Sequence, residues 1–367
     1  MFVAESRVTG SSRRFGAKLD TRCQERSACV AAFLIFYRTR YDRCGRFETC
    51  NQGKNHVGDV TACRGCDGSG QRGGSKRPLI DSASLRLQRN HGHRFDFNQL
   101  MHQVTRPLPP LLRHDTYDDP SEFTPENLLR EARRQKGLSD TRIPEICLLD
   151  PDGDMVRQMR RSGDAHRNLS WACYHTDLYD FERDGRTFGI VGCAVGAAFA
   201  VLVAEQLFAS GCKLLISMTS SGQILPRGNP PYFVLIEKAL RDEGTSYHYL
   251  PPSDFAHIRS DHREKLEGIF AGSEVPVYFG PSWTTDAPFR ETAPAIEAAR
   301  GLGILAVEME AAALYAFAEA RRKPVVCFAH VTNQMARAEG DFEKGEADGS
   351  HVALHLLSLA ADALLPR

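Results

Sequence analysis

Residues 188–218 read FGIVGCAVGAAFAVLVAEQLFASGCKLLISM and give the clearest indication of the fold in this 367-residue chain. Two short apolar runs, 188–193 and 213–218, flank a longer alanine- and leucine-rich segment at 198–209. Short apolar runs are typical of buried strands, and the longer segment, which follows a glycine turn, has helical length. The stretch therefore predicts a strand, a crossover helix and a second, parallel strand.

The same alternation continues on both sides of this unit. Upstream, Thr124-Pro125-Glu126 is typical of a helix start, and Gly137 marks its end. Further strands are predicted at 146–149, 275–279, 303–307 and 325–331, and further helices from Met155, at 311–322 and at 352–365, the last with Ser350 as its cap. We therefore expect an α/β fold of three layers (α/β/α), in which helices cover both faces of a mixed, mostly parallel sheet.

Composition divides the chain into three parts. Residues 1–105 carry 18 Arg and Lys against 9 Asp and Glu, are rich in Gly and Cys, and show no helical or strand period. They are predicted to be a basic, disordered extension, unless translation starts downstream and the segment is not normally made. Residues 106–123 are predicted to be a linker, and residues 124–367 the catalytic domain.

Charge and cysteine usage point to a cytoplasmic protein. The formal net charge is zero, so no overall field favours nucleic acid or a membrane as a partner. The later cysteines, among them Cys193, Cys212 and Cys327, lie in apolar runs and are typical of a reducing compartment. The one candidate signal-peptide core, at 28–37, begins too far from the first residue and is too short to span a bilayer.

Metal and nucleotide motifs are incomplete. Cys63 and Cys66 form one Cys-x-x-Cys pair, but no second pair follows, and only His91 and His93 are available to complete a zinc site. The acidic run 150–154 lacks the glycine and glutamate of a calcium loop. No P-loop lysine and no Gly-x-Ser-x-Gly turn is present. We therefore expect neither a bound metal nor an organic cofactor.

Small, hydroxyl and acidic residues occur where predicted strands end, which is where a parallel sheet has its ligand crevice. The serine hydroxyls and backbone N–H groups of Ser220, Ser221 and Gly222 suit an anion. One carboxylate of Glu308 or Glu310 is expected to accept hydrogen bonds from a sugar diol, unless both serve the positive end of the next helix. The segments are 192–196, 219–222, 284–291 and 308–310, with Asn333 after the next strand.

Together these segments resemble the nucleoside phosphorylase family, and the uridine phosphorylase branch most. The resemblance covers roughly residue 140 onwards, and its strongest part is VEMEAAAL at 307–314, which is similar to the family's ribose-binding Glu-Met-Glu signature. The turn at 220–222 is similar to its phosphate loop, and Gly196 matches the last glycine of its Gly-x-Gly-Gly turn.

The resemblance implies a pentosyltransferase of nucleoside metabolism and nucleotide salvage. Such an enzyme cleaves the N-glycosidic bond of a ribonucleoside or deoxyribonucleoside with phosphate as co-substrate, and gives free base and pentose 1-phosphate. By resemblance, Glu310 binds the ribose 2′ and 3′ hydroxyls, Met309 packs under the sugar, and Asn333 lies near the leaving base. A homo-oligomer, dimer or hexamer, is implied as well.

The segment 284–291 supplies the remaining candidates for substrate binding. Thr285 and Asp286 are expected to face the crevice, while Phe289 stacks on the base and Arg290 reads its edge. The alternative for Arg290 is a surface ion pair with Glu291.

Two departures from the family pattern leave open which nucleophile the protein uses and which base it releases. Ser217 stands where the family has a phosphate-binding arginine, and 149–153 replaces a loop that carries another, so Arg157 or a neighbouring subunit's arginine would have to compensate. A hydrolytic nucleosidase and a non-catalytic nucleoside-binding protein are therefore the alternatives. The run 332–334, Thr-Asn-Gln, lacks both the general-acid aspartate of purine-cleaving members and the arginine of uracil-specific ones.

Overall fold

The computed structural model describes residues 108–367 except for 114, 336–338 and 343. The predicted extension and its zinc-site candidates, Cys63 and Cys66 with His91 and His93, lie outside the described residues. The described part of the predicted linker is largely exposed and contains a short 3-10 helix, Pro110–Leu112.

The strands of the described part form one mixed sheet in the order β10-β6-β8-β9-β5-β1-β4-β3-β2, with β7 on the side of β6. Half of the strand pairings are parallel, among them β4–β1–β5–β10, and half are antiparallel. The strands are β1 Ile146–Asp150, β2 Ala165–Arg167, β3 Tyr179–Arg183, β4 Arg186–Gly192, β5 Leu214–Gln223, β6 Tyr232–Asp242, β7 Phe255–His257, β8 Val277–Thr285, β9 Ala306–Glu308 and β10 Val325–Asn333.

The sheet closes on itself at one end. β10 pairs with β5 as well as with β6, so that β5, β10, β6, β8 and β9 form a ring. β1 runs beside this ring and all five of its residues are buried, as is typical of a parallel strand covered on both faces. The predicted mixed α/β fold is thus confirmed, and the ring is an addition to it.

Two groups of helices cover the sheet. In one group α3 packs between α1 and α6, and in the other α7 contacts α2, α4 and strand β5. No helix of the described part is long and apolar enough to cross a membrane. The helices are α1 Pro125–Lys136, α2 Asp154–Ser162, α3 Ala197–Ala209, α4 Ser260–Leu266, α5 Ala293–Gly301, α6 Ala311–Arg321 and α7 Ser350–Leu364.

Local chemistry sets the helix ends. The Thr124 hydroxyl accepts a hydrogen bond from the Asn127 N–H at 3.2 Å, and Gly137 ends α1 in the left-handed conformation, both as predicted. The prediction that Ser350 caps the last helix is wrong. Gly349 holds the capping position with φ 73°, and Ser350 is the first, fully buried residue of α7.

Candidate active site

The candidate site lies at one edge of the sheet, where the parallel strands β4, β1, β5 and β10 end. Registers place Asp150 beside Gly192 and Val331 beside Ser221, so the loops after these strands meet at the same level. This is the edge of the sheet at which the sequence predicts a ligand site. It brings together the residues of 192–196, 219–222 and 308–310, which are distant in the sequence.

Glu310 is the central acid of this site. It is 1% exposed, and its Oε1 accepts a hydrogen bond from the Gly196 N–H at 2.7 Å. Its Oε2 is buried and has no hydrogen-bond partner among the described residues. Although Glu310 precedes α6 directly, its side chain does not cap that helix. One oxygen is therefore fixed and the other is free to accept hydrogen bonds from a ligand.

The surroundings of Glu310 favour its protonated form. Burial, reinforced by the nearby charge of Glu308, raises the pKa of Glu310 to about 8. The Gly196 amide and the nearby Thr219 hydroxyl oppose this rise. A pair of sugar hydroxyls at Oε2 would act in the same direction as these donors, because they too stabilise the charged form.

Glu308 has a different role, although it is buried just as deeply. Its Oε1 accepts hydrogen bonds from the hydroxyls of Ser282 at 2.9 Å and Thr284 at 2.5 Å. Its Oε2 accepts the N–H groups of Glu310 and Ala311, both at 2.7 Å. All of its hydrogen-bonding capacity is therefore used inside the protein. Glu308 is thus an acid at the positive end of α6, as the alternative interpretation has it, and its predicted contact with substrate stays a prediction.

An aspartate fills the predicted anion site. The Ser220 N–H donates a hydrogen bond of 2.7 Å to Oδ2 of Asp152, which lies in the loop after β1. The hydroxyls of Ser217 and Ser221 are buried and make no hydrogen bond among the described residues. Gly222 has little room for a side chain, because an added Cβ would lie 2.7 Å from the Met335 Sδ.

Two cations lie just beyond this loop, and both pair with the same aspartate. Arg157 and Lys344 each form an ion pair with Asp154. Arg157, which the sequence offers as a substitute phosphate ligand, is thus present at the site. Nothing in the sequence predicts that Lys344 lies at this site, because 190 residues separate it from Asp154.

His330 is a further residue of this region without a sequence signal. It is buried in β10 and stacks on Phe233 with ring centroids 4.4 Å apart. Burial lowers its pKa to about 4, and the nearby charge of Lys344 acts in the same direction. His330 is therefore neutral near pH 7 and adds no positive charge for an anion.

Residues 145–364 match the family model of the phosphorylase superfamily. The chain belongs to this superfamily. It is 26% identical over 182 residues to the guanosine phosphorylase of Halorubrum lacusprofundi, and the aligned region covers 50% of this chain and 69% of the relative. The predicted family is confirmed, whereas a specificity like that of uridine phosphorylase, a cytoplasmic location and a homo-oligomer stay predictions.

Solved structures of this superfamily share the fold. Uridine phosphorylase from Vibrio fischeri ES114 superimposes with a TM-score of 0.52 at 20% identity, over 63% of this chain and 96% of that one. A mutant of Helicobacter pylori MTAN with 5′-methylthioadenosine in its active site gives a TM-score of 0.50 at 13% identity, over 60% and 100%. At these identities the likeness supports the fold alone.

Several predicted substrate residues of this superfamily member are engaged in local structure. The Thr285 hydroxyl accepts the Ala287 N–H at 3.2 Å, and Asp286 Oδ2 accepts the Gly244 N–H at 2.8 Å. Both side chains stabilise the turn after β8. Their predicted contact with substrate is not seen in the geometry of the single chain.

The predicted base-reading pair projects into solvent. Phe289 is 100% exposed and Arg290 is exposed as well, because both lie on a short 3-10 helix that buries none of its residues. Nothing in the described chain tests whether they contact a base, so that role stays a prediction. The alternative for Arg290 is wrong, since no ion pair joins it to Glu291 among the described residues.

Asn333 lies at the end of β10, beside Gly222. Its Oδ1 accepts the Met335 N–H at 2.9 Å, and its amide donates to the Ser221 carbonyl at 3.4 Å and the Thr332 hydroxyl at 3.2 Å. The side chain therefore orders the end of the strand. Its predicted role toward a leaving base stays a prediction.

Met309 lies between the two glutamates and is half-buried. Nothing in the described chain tests its predicted packing under a sugar. In the same part of the molecule, no group of three or more His, Cys, Asp or Glu side chains could hold a metal ion.

Proposed function

We propose that this protein cleaves the N-glycosidic bond of a nucleoside and that Glu310 binds the hydroxyls of the pentose. The observation that carries this proposal is the state of the Glu310 carboxyl group, with Oε1 held by Gly196 and Oε2 buried and unpartnered among the described residues. A buried carboxyl oxygen without a partner is costly, and a pair of sugar hydroxyls would satisfy it. Membership of the phosphorylase superfamily supports the same chemistry.

The proposed mechanism rests on position and charge. As the bond between C1′ and the base nitrogen breaks, its electron pair leaves with the base and C1′ takes on oxocarbenium character. The Glu310 carboxylate fixes the sugar and places negative charge near this developing cation. Positioning and electrostatic stabilisation can each lower the activation free energy by an amount on the order of several kcal/mol.

Phosphate and water are the two candidate nucleophiles. The named guanosine phosphorylase relative favours phosphate. Ser217, which stands where the resemblance implies an arginine, favours water because a strong phosphate contact is missing.

The first experiment measures base release by chromatography from a panel of purine and pyrimidine nucleosides. We expect Glu310→Gln to lower kcat/KM by about 100-fold or more, because the neutral amide binds the diol poorly. Glu319→Gln is the matched control, since Glu319 is exposed near the other end of the same helix, α6. Near-normal turnover by Glu310→Gln would sink the proposed role of this residue.

Calorimetric titration with the same nucleosides covers the third alternative. A protein that binds a nucleoside tightly, loses binding on Glu310→Ala and never releases base would be a binding protein. That result would contradict the proposed catalysis and keep the proposed sugar site.

A further inference from the structure

The loop after β1 holds an acidic side chain in a fixed place. The Asp150 carboxylate accepts the Gly153 N–H at 3.1 Å and the Val156 N–H at 2.9 Å, while its carbonyl accepts the Cys193 N–H at 3.0 Å. These bonds tie the loop to α2 and to the turn after β4. Gly153 is left-handed with φ 76°, and an added Cβ there would lie 2.6 Å from the Cys193 sulfur. The path of the loop is therefore tightly constrained.

This path directs Asp152 onto the predicted anion site. Its Oδ2 lies 2.7 Å from the Ser220 backbone nitrogen, and the side chain is half-buried. An anion that used the Ser220 N–H would have to displace this carboxylate or lie against it. Like charges at such distances repel strongly when they are partly shielded from water.

The positive charges that could offset this repulsion are already paired. Arg157 and Lys344 both contact Asp154, so phosphate would have to compete with that carboxylate as well. Position 217, on β5, offers a hydroxyl and no charge. An incoming anion would thus meet the carboxylates of Asp152 and Asp154, and the two cations are already paired with Asp154.

We infer that Asp152 selects water instead of phosphate as the nucleophile. This inference rests on the proposed nucleoside cleavage. In the reaction, the oxygen of water forms a bond to C1′ while the bond from C1′ to the base nitrogen breaks. The electron pair of the broken bond leaves with the base, which takes up one proton, and the water gives up one proton. Nucleoside and water thus give free base and free pentose.

The test compares the products formed by the full chain and by two variants, Asp152→Asn and Asp152→Gly, with and without inorganic phosphate. We expect the unmodified protein to release free pentose at the same rate in both conditions. Both variants are expected to form pentose 1-phosphate and to raise its ratio to free pentose at least tenfold. Asp177→Asn is the control, because Asp177 pairs with Arg167 ahead of β3 and its loss also removes one negative charge.

A second readout does not depend on turnover. Inorganic phosphate is titrated against each protein while its melting temperature is followed, since a ligand of the folded state stabilises it. We expect phosphate to stabilise Asp152→Asn and Asp152→Gly but neither the unmodified protein nor Asp177→Asn. This pattern supports the exclusion of phosphate by Asp152 even if none of the nucleosides in the panel is cleaved.

Two outcomes would overturn the inference. One is pentose 1-phosphate as the main product of the unmodified protein. The other is an unchanged response of the Asp152 variants to phosphate in both readouts. Absence of base release from every nucleoside, together with the expected phosphate stabilisation, would instead contradict the proposed function and leave only the exclusion of phosphate by Asp152.

Discussion

Glu308 and Glu310 show how two residues of the same type, two positions apart, acquire different roles. Four internal donors satisfy Glu308, whereas Glu310 keeps one oxygen free of partners among the described residues. The difference follows from their places, since Glu308 ends β9 and its carboxylate lies across the first N–H groups of α6. The side chain of Glu310 reaches instead to the loop after β4.

The raised pKa of Glu310 predicts a pH dependence. In the proposed function sugar hydroxyls bind the Glu310 carboxylate, so below about pH 8 the carboxyl must first lose its proton. We expect kcat/KM to rise by about tenfold per pH unit between about pH 6 and pH 8 and to level off above that range. Rate measurements across this range check it, and a flat profile in the unmodified protein would contradict it.

Gly222 gives a second prediction at the scale of one residue. In Gly222→Ala the new methyl group would lie 2.7 Å from the Met335 sulfur and 3.2 Å from a Val307 methyl. We expect the free energy of unfolding to fall by about 1–3 kcal/mol, as measured by urea denaturation. Gly301→Ala is the control, because nothing lies within 4 Å of an added Cβ there and Gly301 is helical. Equal stability of the two variants would show that the close contact is absent.

Among the elements, α6 is attached to the ring of strands by a buried tyrosine. The Tyr315 hydroxyl donates to the Ile236 carbonyl of β6 at 2.6 Å and accepts the Cys327 N–H of β10 at 3.1 Å. One side chain thus joins the helix that follows Glu310 to two strands. It fixes where that helix begins relative to the sheet.

We expect Tyr315→Phe to lower the free energy of unfolding by about 1–3 kcal/mol, because two buried backbone groups lose a partner. Urea denaturation measures this change. Tyr278→Phe serves as the control, since its hydroxyl donates to the Arg227 carbonyl in an exposed position and its loss should cost little. A similar small effect in both variants would contradict the proposed link.

Several elements with strong local signals are predicted from the sequence, but β6 is missed, although the apolar run at 232–236 is such a signal. The helix from Thr124 to Gly137 and the unit around β4, α3 and β5 are placed to within a few residues, because caps and apolar periods are local. β2 and β7 have three residues each, too few for a period. The ring closure joins β5 to β10, about a hundred residues apart, and no local pattern records such a pairing.

The site divides in the same way. The Glu-Met-Glu segment and the serine turn are visible as sequence motifs, and in the structure Gly196 bonds Glu310 while Ser220 bonds Asp152. Asp152 is visible in the sequence as part of an incomplete calcium loop, but its contact with Ser220 depends on how two strand ends meet. The exposure of Phe289 could not be predicted either, because the sequence does not show whether the rest of the chain covers an apolar side chain in a loop.

At the scale of the whole molecule, the superfamily match spans residues 145–364 and leaves out the first 144 residues. We expect a chain that starts at Leu108 to fold and to keep its activity, measured by its melting temperature and by base release. A chain that starts at Ile146 is the comparison. It lacks α1, which buries Leu129 and Ala132, and it is expected to be less stable. Loss of folded protein on removal of residues 1–107 would contradict the predicted division of the chain.

The hydrogen bond between Asp152 and Ser220 has a consequence for evolution. Aspartate and glycine codons differ by a single nucleotide, so one point mutation is enough to remove the carboxylate that accepts the hydrogen bond of the Ser220 backbone amide. If Asp152 selects the nucleophile as inferred, this single change converts a chain from water to phosphate as nucleophile while Glu310 stays as it is. Near relatives of this chain are then expected to differ in nucleophile according to the residue at this position.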